Sequence, residues 1–74
     1  VGRELRGISA RKAVGAFKKS GFKELRQRGS HVLLQKEGHP LLVINVHARS
    51  LKVGLLKAAI KKAGLTREEF EALL

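Results

Sequence analysis

The sequence predicts an α+β fold in which two helices cover one face of a three-stranded antiparallel sheet and a short third helix follows. Three observations predict it. Apolar residues recur at three- and four-residue spacing from Ala10 to Phe17 and from Leu56 to Ala63, the period of one helix face. Between these stretches lie three strand-like runs, at about 23–28, 31–36 and 41–46. Gly29-Ser30 and Glu37-Gly38-His39-Pro40 separate the runs, and connections this short can only join antiparallel neighbours.

Residues 1–8 read as a charged lead-in, loosely held unless Leu5 or Ile8 docks on the core. Ser9 is a suitable N-cap for the first helix, whose buried stripe is Ala10, Ala13, Val14 and Phe17. Gly15 weakens that helix by about 1 kcal/mol relative to alanine, so the helix depends on burying its stripe. Gly21 after Lys18-Lys19-Ser20 marks its end, with Phe22 able to fold back on the last turn. The three strands then form two successive hairpins. Alternation groups His31, Leu33 and Gln35 on one face of the second strand, and Leu41, Val43, Asn45 and His47 on one face of the third. Both sheet faces carry apolar residues, although two helices can cover only one, so the other face is where a protein partner is expected. After a basic loop at 48–52, Leu56, Ala59, Ile60 and Ala63 form the second helix's stripe, and Gly64 ends it. Thr66-Arg67-Glu68-Glu69 reads as a capping box for the last helix, with Phe70, Leu73 and Leu74 on its apolar side. The likeness of Phe17-Lys-Lys-Ser-Gly-Phe to Ile60-Lys-Lys-Ala-Gly-Leu reflects a shared way of stopping a helix rather than an internal repeat.

Seventy-four residues suffice for one domain, 1–74, with a small core, and the chain has no cysteine to staple it. Sixteen Lys and Arg against six Glu and no Asp give a net charge of +10. So dense a positive field favours nucleic acid or another acidic partner. The longest apolar runs are far below a spanning length and no signal-peptide pattern is present, so no membrane association and a cytoplasmic location are expected.

The chemistry concentrates at Arg26-Gln27-Arg28-Gly29-Ser30-His31. Arginine holds phosphate in a bidentate fork, and histidine takes and gives a proton near neutral pH. The same residues also make an ordinary polar hairpin turn, and the local composition leaves both readings open. His31 stands where a sheet holds a side chain firmly within reach of a substrate, with Arg26, Arg28, Ser30 and Lys36 as its candidate supporting or phosphate-binding residues. His47, at the exit of the third strand, is a candidate second member, whereas His39 reads as a solvated turn residue with no catalytic role. Arg49, Lys52, Lys57, Lys61 and Lys62 are the candidate RNA-binding patch, or else a solvated helix face. No metal or other cofactor is called for. There is no cysteine, no close histidine pair on a helix, no paired carboxylates and no glycine-rich nucleotide cradle. What remains is metal-independent chemistry by histidine, for which RNA is the suitable substrate because its 2′-hydroxyl is a built-in nucleophile.

The chain resembles the HicA-type mRNA interferase toxins of toxin-antitoxin systems. The matching pattern runs from Ile8-Ser9 through Ala13 to Gly21-Phe22, then Arg26-Gln27-Arg28-Gly29-Ser30-His31, then Ile44-Asn45-Val46-His47. It continues with Gly54-Leu55-Leu56 and, through Ile60, ends at Ala63-Gly64-Leu65. The resemblance implies a double-stranded RNA-binding-domain-like fold, cleavage of mRNA by a single catalytic histidine falling on His31, and neutralisation by a HicB-type antitoxin. One departure is that Ile44-Asn45-Val46-His47 stands where the family commonly has Val-Pro-x-His. Asparagine restores an N–H, so the third strand is expected to run further and to change how His47 is presented. The expected function is therefore a toxin endoribonuclease, with a non-catalytic basic RNA-binding module as the alternative. The expected partners are mRNA and an antitoxin that covers Gly29, Ser30 and His31, or else a second copy docked as a homodimer on the open sheet face.

Overall fold

The computed structural model describes residues 7–47 and 51–74. In chain order they form α1 (Ala10–Lys19), β1 (Lys23–Arg28), β2 (His31–Gln35), β3 (Leu42–Asn45), α2 (Val53–Lys62) and α3 (Arg67–Ala72). The strands make one antiparallel sheet in the order β1-β2-β3. This is the expected α+β arrangement, helix, three-stranded sheet, helix and short helix, in the manner of a double-stranded RNA-binding domain.

Each helix boundary follows from a local hydrogen-bond device. The Ser9 hydroxyl accepts the Lys12 N–H at 3.2 Å, satisfying one of the donors left over at the start of α1. At the other end, Phe22 N–H donates to the Phe17 carbonyl and Gly21 N–H to the Lys18 carbonyl, both at 3.1 Å. Leu65 to Ile60, at 3.1 Å, and Gly64 to Lys61, at 3.0 Å, repeat the pattern after α2. Both are Schellman stops, and both need glycine, since Gly21 has φ +113° and Gly64 has φ +73°. The similarity of the two segments is thus a similarity of stops. Thr66 and Glu69 form the expected reciprocal capping box on α3.

Hydrophobic burial is one-sided. Val32, Leu34, Leu42 and Ile44 point into the core, where they meet Ala13, Phe17, Leu56, Ile60 and Phe70. Phe17 joins three elements: its ring centroid lies 5.1 Å from that of Phe70 on α3 and 6.2 Å, edge-on, from that of Phe22. Ile8 is buried, so the lead-in docks at its last residue, while Leu5 lies outside the described residues. The Leu51 N–H donates to the Ile8 carbonyl at 3.0 Å and ties the approach to α2 to the approach to α1.

Two expectations change. β3 ends at Asn45 instead of running on, because the Asn45 side-chain oxygen accepts the His47 N–H at 3.0 Å and turns the chain out of the ladder. His39 is half-buried rather than solvated. Its ring packs edge-on against Phe22 at 5.9 Å, and Nδ1 lies 3.0 Å from the Glu37 carbonyl.

The glycines respond differently to an added methyl group. A Cβ on Gly64 would meet His39 Nε2 at 3.2 Å in a backbone conformation that side chains oppose, whereas one on Gly15 meets nothing within 4 Å. Gly64→Ala is therefore expected to lower unfolding stability by about 1–2 kcal/mol. Gly15→Ala is expected to raise it by up to about 1 kcal/mol. Urea unfolding of the two variants checks both signs.

Candidate functional site

The site is built by a two-residue hairpin. Gly29 at φ +58°, followed by Ser30 at ordinary φ, fits a type II′ turn, whose twist matches that of the flanking strands. The Gln27 side chain braces the turn by donating to the Gly29 carbonyl at 2.9 Å, and the Val46 N–H donates to the Ser30 carbonyl at 2.8 Å. This end of the sheet is consequently fixed on both sides of the turn.

Register then determines which side chains share a face. Arg28 pairs with His31 and His31 with Asn45, while Arg26 pairs with Leu33 and Leu33 with Val43. Directly paired residues hold their Cβ atoms about 4.5–5.5 Å apart. Arg28, His31 and Asn45 therefore form one row across the sheet, with Arg26, Leu33 and Val43 as the next. Both rows lie on the face that the helices leave open, because Val32, Leu34, Leu42 and Ile44 alternate with them into the core. A bulge at Leu25, between Glu24 and Arg26, keeps Arg26 and Arg28 on this face while Glu24 faces the helices. There Glu24 pairs with Lys18 of α1 at 3.3 Å. Within the strands, His31 is the one imidazole or carboxylate on the open face.

The other sequence candidates separate. Ser30 is half-buried in the turn beside His31. Lys36 is five residues along from His31, about 16 Å by strand rise. Its ammonium donates to the Ser20 carbonyl at 2.9 Å, beyond the C-terminus of α1, and lies 5.8 Å from the Phe22 ring centroid. That geometry takes Lys36 away from any phosphate held at His31 and gives it a helix-capping contact instead. His47 does not join His31 either. Once the chain turns at Asn45, His47 lines a cleft on the helix side with Arg11, Val14, Gln27 and Val46. Strand alternation had grouped His47 with Asn45, and the turn ends that alternation.

The cationic residues divide as well. Lys62 borders the His31 end of the sheet, whereas Lys57 and Lys61 line a separate shallow cleft with Arg67, whose guanidinium Nε is 3.2 Å from Glu71. Lys52 is exposed at the start of α2, and Arg49 lies outside the described residues. The five residues are therefore not one contiguous described patch.

Two residues that sequence reasoning did not place in the site, Asn45 and Leu55, line one groove with His31. Between β3 and α2 runs a groove of about 440 Å³, lined by His31, Val43, Asn45, Leu55, Ala58 and Lys62 among others. Asn45 was legible only as a strand residue, and its role as a turn-maker depends on where the ladder stops. Leu55 falls off the buried stripe of α2. The pattern that reveals it is the second stripe Leu55, Ala58, Ala59 and Lys62, at three- and four-residue spacing.

Large apolar side chains remain exposed, Val43 at 55% on the open face and Leu55 at 66% on α2, and Leu25 and Leu41 are exposed as well. Among the described residues no group of three His, Cys, Asp or Glu could hold a metal ion, and no helix is long and apolar enough to cross a membrane. No curated protein matches the chain closely enough to count as a relative. The family profile described as the HicA toxin of bacterial toxin-antitoxin systems matches residues 10–65, from the first residue of α1 to the stop after α2. That match spans most of the chain, both helix stops and the whole Arg28–His31–Asn45 row, and the chain belongs to the HicA toxin family.

Proposed function

We propose that this HicA-family toxin is a metal-independent endoribonuclease that cuts mRNA, with His31 as its catalytic residue. The observation that carries the reading is the row itself: one imidazole on the open face, Arg28 directly opposite and Arg26 in the adjacent row. In this reading His31 takes the proton from a ribose 2′-hydroxyl, and the 2′-oxygen forms a bond to the adjacent phosphorus. The bond from phosphorus to the 5′-oxygen breaks, and the leaving oxygen takes a proton from the imidazolium or from water relayed by it. The negative charge that develops on the phosphate oxygens is held by the forked guanidinium groups of Arg28 and Arg26. Ser30 supports the turn, and Lys36 supports the end of α1 without touching substrate.

The non-catalytic alternative, a basic RNA-binding module, shares the charge and the layout. Catalysis and binding separate by mutation. His31→Ala is expected to lower cleavage at least about a hundredfold while leaving RNA affinity and its salt dependence nearly unchanged. Replacing Arg26 and Arg28 with glutamine is expected to flatten the log–log salt slope by about 0.7 per lost phosphate contact. Gel-resolved cleavage with chelator present, together with binding isotherms at several salt concentrations, checks both. RNA that is retarded by the parent chain but never cut rejects the enzyme.

HicA toxins pair with HicB antitoxins, and for this chain we infer an antitoxin that covers the open face at Gly29, Ser30 and His31. Exposed Val43 beside a strongly cationic surface favours a partner with an apolar patch and an acidic rim, the charge raising the association rate. Adding the cognate antitoxin is expected to slow hydrogen exchange at the amides of residues 29–34 together with inhibition. Full inhibition with those amides unchanged contradicts occlusion and puts the interface elsewhere.

A further inference from the structure

A nucleotide held for cutting brings its base with it, and the protein has to put that base somewhere. Proteins that bind single-stranded RNA usually stack bases on exposed aromatic rings. Among the described residues this chain has no exposed Phe, Tyr or Trp ring to offer. It contains no Trp or Tyr, and its three Phe residues are all buried in the core. Stacking beside His31 is left to the imidazole and the exposed guanidinium planes of Arg28 and Arg26, and a base that turns from them toward α2 is held by aliphatic walls and polar edges.

The groove between β3 and α2 supplies both, and His31 is part of its lining. Val43 from the strand and Leu55 with Ala58 from the helix make apolar sides, which accounts for a leucine left two-thirds exposed. Asn45, the direct strand partner of His31, adds a polar edge. Its amide orientation follows from its own bond, because the His47 N–H can only donate and so meets Oδ1. With Oδ1 partly engaged by that bond, the two Nδ2 hydrogens are the free donors Asn45 offers a ligand, and Oδ1 keeps one further lone pair. Lys62, one turn beyond Ala58 on the same stripe, adds a cation for a flanking phosphate.

We propose that this groove is the base-binding subsite of the enzyme, that its occupant is an unstacked RNA base beside the scissile phosphate, and that Asn45 reads an acceptor on that base. The inference rests on the ribonuclease reading and adds to it a residue that determines specificity. Asn45 is exposed in the free protein, and a base seated over it that lacks the matching acceptor takes the donor's water away without replacing the hydrogen bond, which disfavours that base.

The test uses the parent chain with four 2′-O-methyl trinucleotides that differ only in the central base. These ligands cannot be cut, so binding is read independently of catalysis. The tightest is expected to bind at least about tenfold better than the weakest, with the Leu55 and Val43 methyl resonances shifting on binding. Asn45→Ala is expected to bring the four affinities to within about twofold of one another. Asn45→Asp keeps an oxygen for the His47 N–H while exchanging the donors for an acceptor. It lowers all four affinities through its charge and moves the preference toward bases that present an amino group. Four equal affinities in the parent, a preference that survives both substitutions, or Leu55 methyls that stay unmoved while RNA binds each overturn the proposal. Failure of the ribonuclease reading has a different signature, in which base preference and methyl shifts are intact but unmodified RNA is never cut.

Discussion

The open face of the sheet depends on what is packed beneath it. Three strands and three short helices provide a single layer of cover, so the sheet has one buried face and one bare face. Because successive strand residues alternate between faces, the buried residues determine where their neighbours point. Val32 and Leu34 in the core hold His31 and Leu33 outward, and a slip of one residue along β2 would put His31 into the core and Val32 into water. Such a slip would bury an imidazole without a partner and expose two branched side chains. The stability of the register and the presentation of the site are therefore consequences of the same packing.

Phe17 is the centre of that packing. It ties α1 to α3 through Phe70 and to the start of β1 through Phe22, and both contacts rest on backbone devices that lie close by in sequence. The Schellman stop after α1 sends Phe22 back against Phe17, and the capping box starts α3 where Phe70 can reach the same centre. No polar side chain is buried among the described residues, so this small core contains no polar group that needs a partner.

These local devices are also what made most of the fold legible. Ser9, Gly21, Gly64, Thr66 and the Gly29-Ser30 hairpin act through hydrogen bonds spanning a few residues, and the apolar stripes of α1 and α2 act through periodicity. The features that escaped depend on distant parts of the chain. His39 is half-buried because Phe22 and the stop after α2 lie against it, and Lys36 leaves the His31 end because the terminus of α1 offers it a carbonyl. His47 parts from His31 because β3 stops one residue short of the expected end, where the Asn45 side chain turns the chain away. The Arg28–His31 pairing, by contrast, follows from a two-residue turn alone, which is why the centre of the candidate site was readable and its periphery was not.

A bare sheet face with one imidazole, two adjacent guanidinium groups and a net charge of +10 suits a substrate that is itself a polyanion and carries its own nucleophile. RNA meets both conditions, and in the proposed reading the protein has only to move protons and hold charge. The most direct measurement is the chemistry of the ends left on RNA cut by the purified chain in the presence of chelator. An upstream fragment ending in a 2′,3′-cyclic phosphate and a downstream fragment beginning with a 5′-hydroxyl are the result expected from His31 and the 2′-hydroxyl. A 5′-phosphate with a free 3′-hydroxyl would contradict it, because water rather than the ribose would then have attacked the phosphorus.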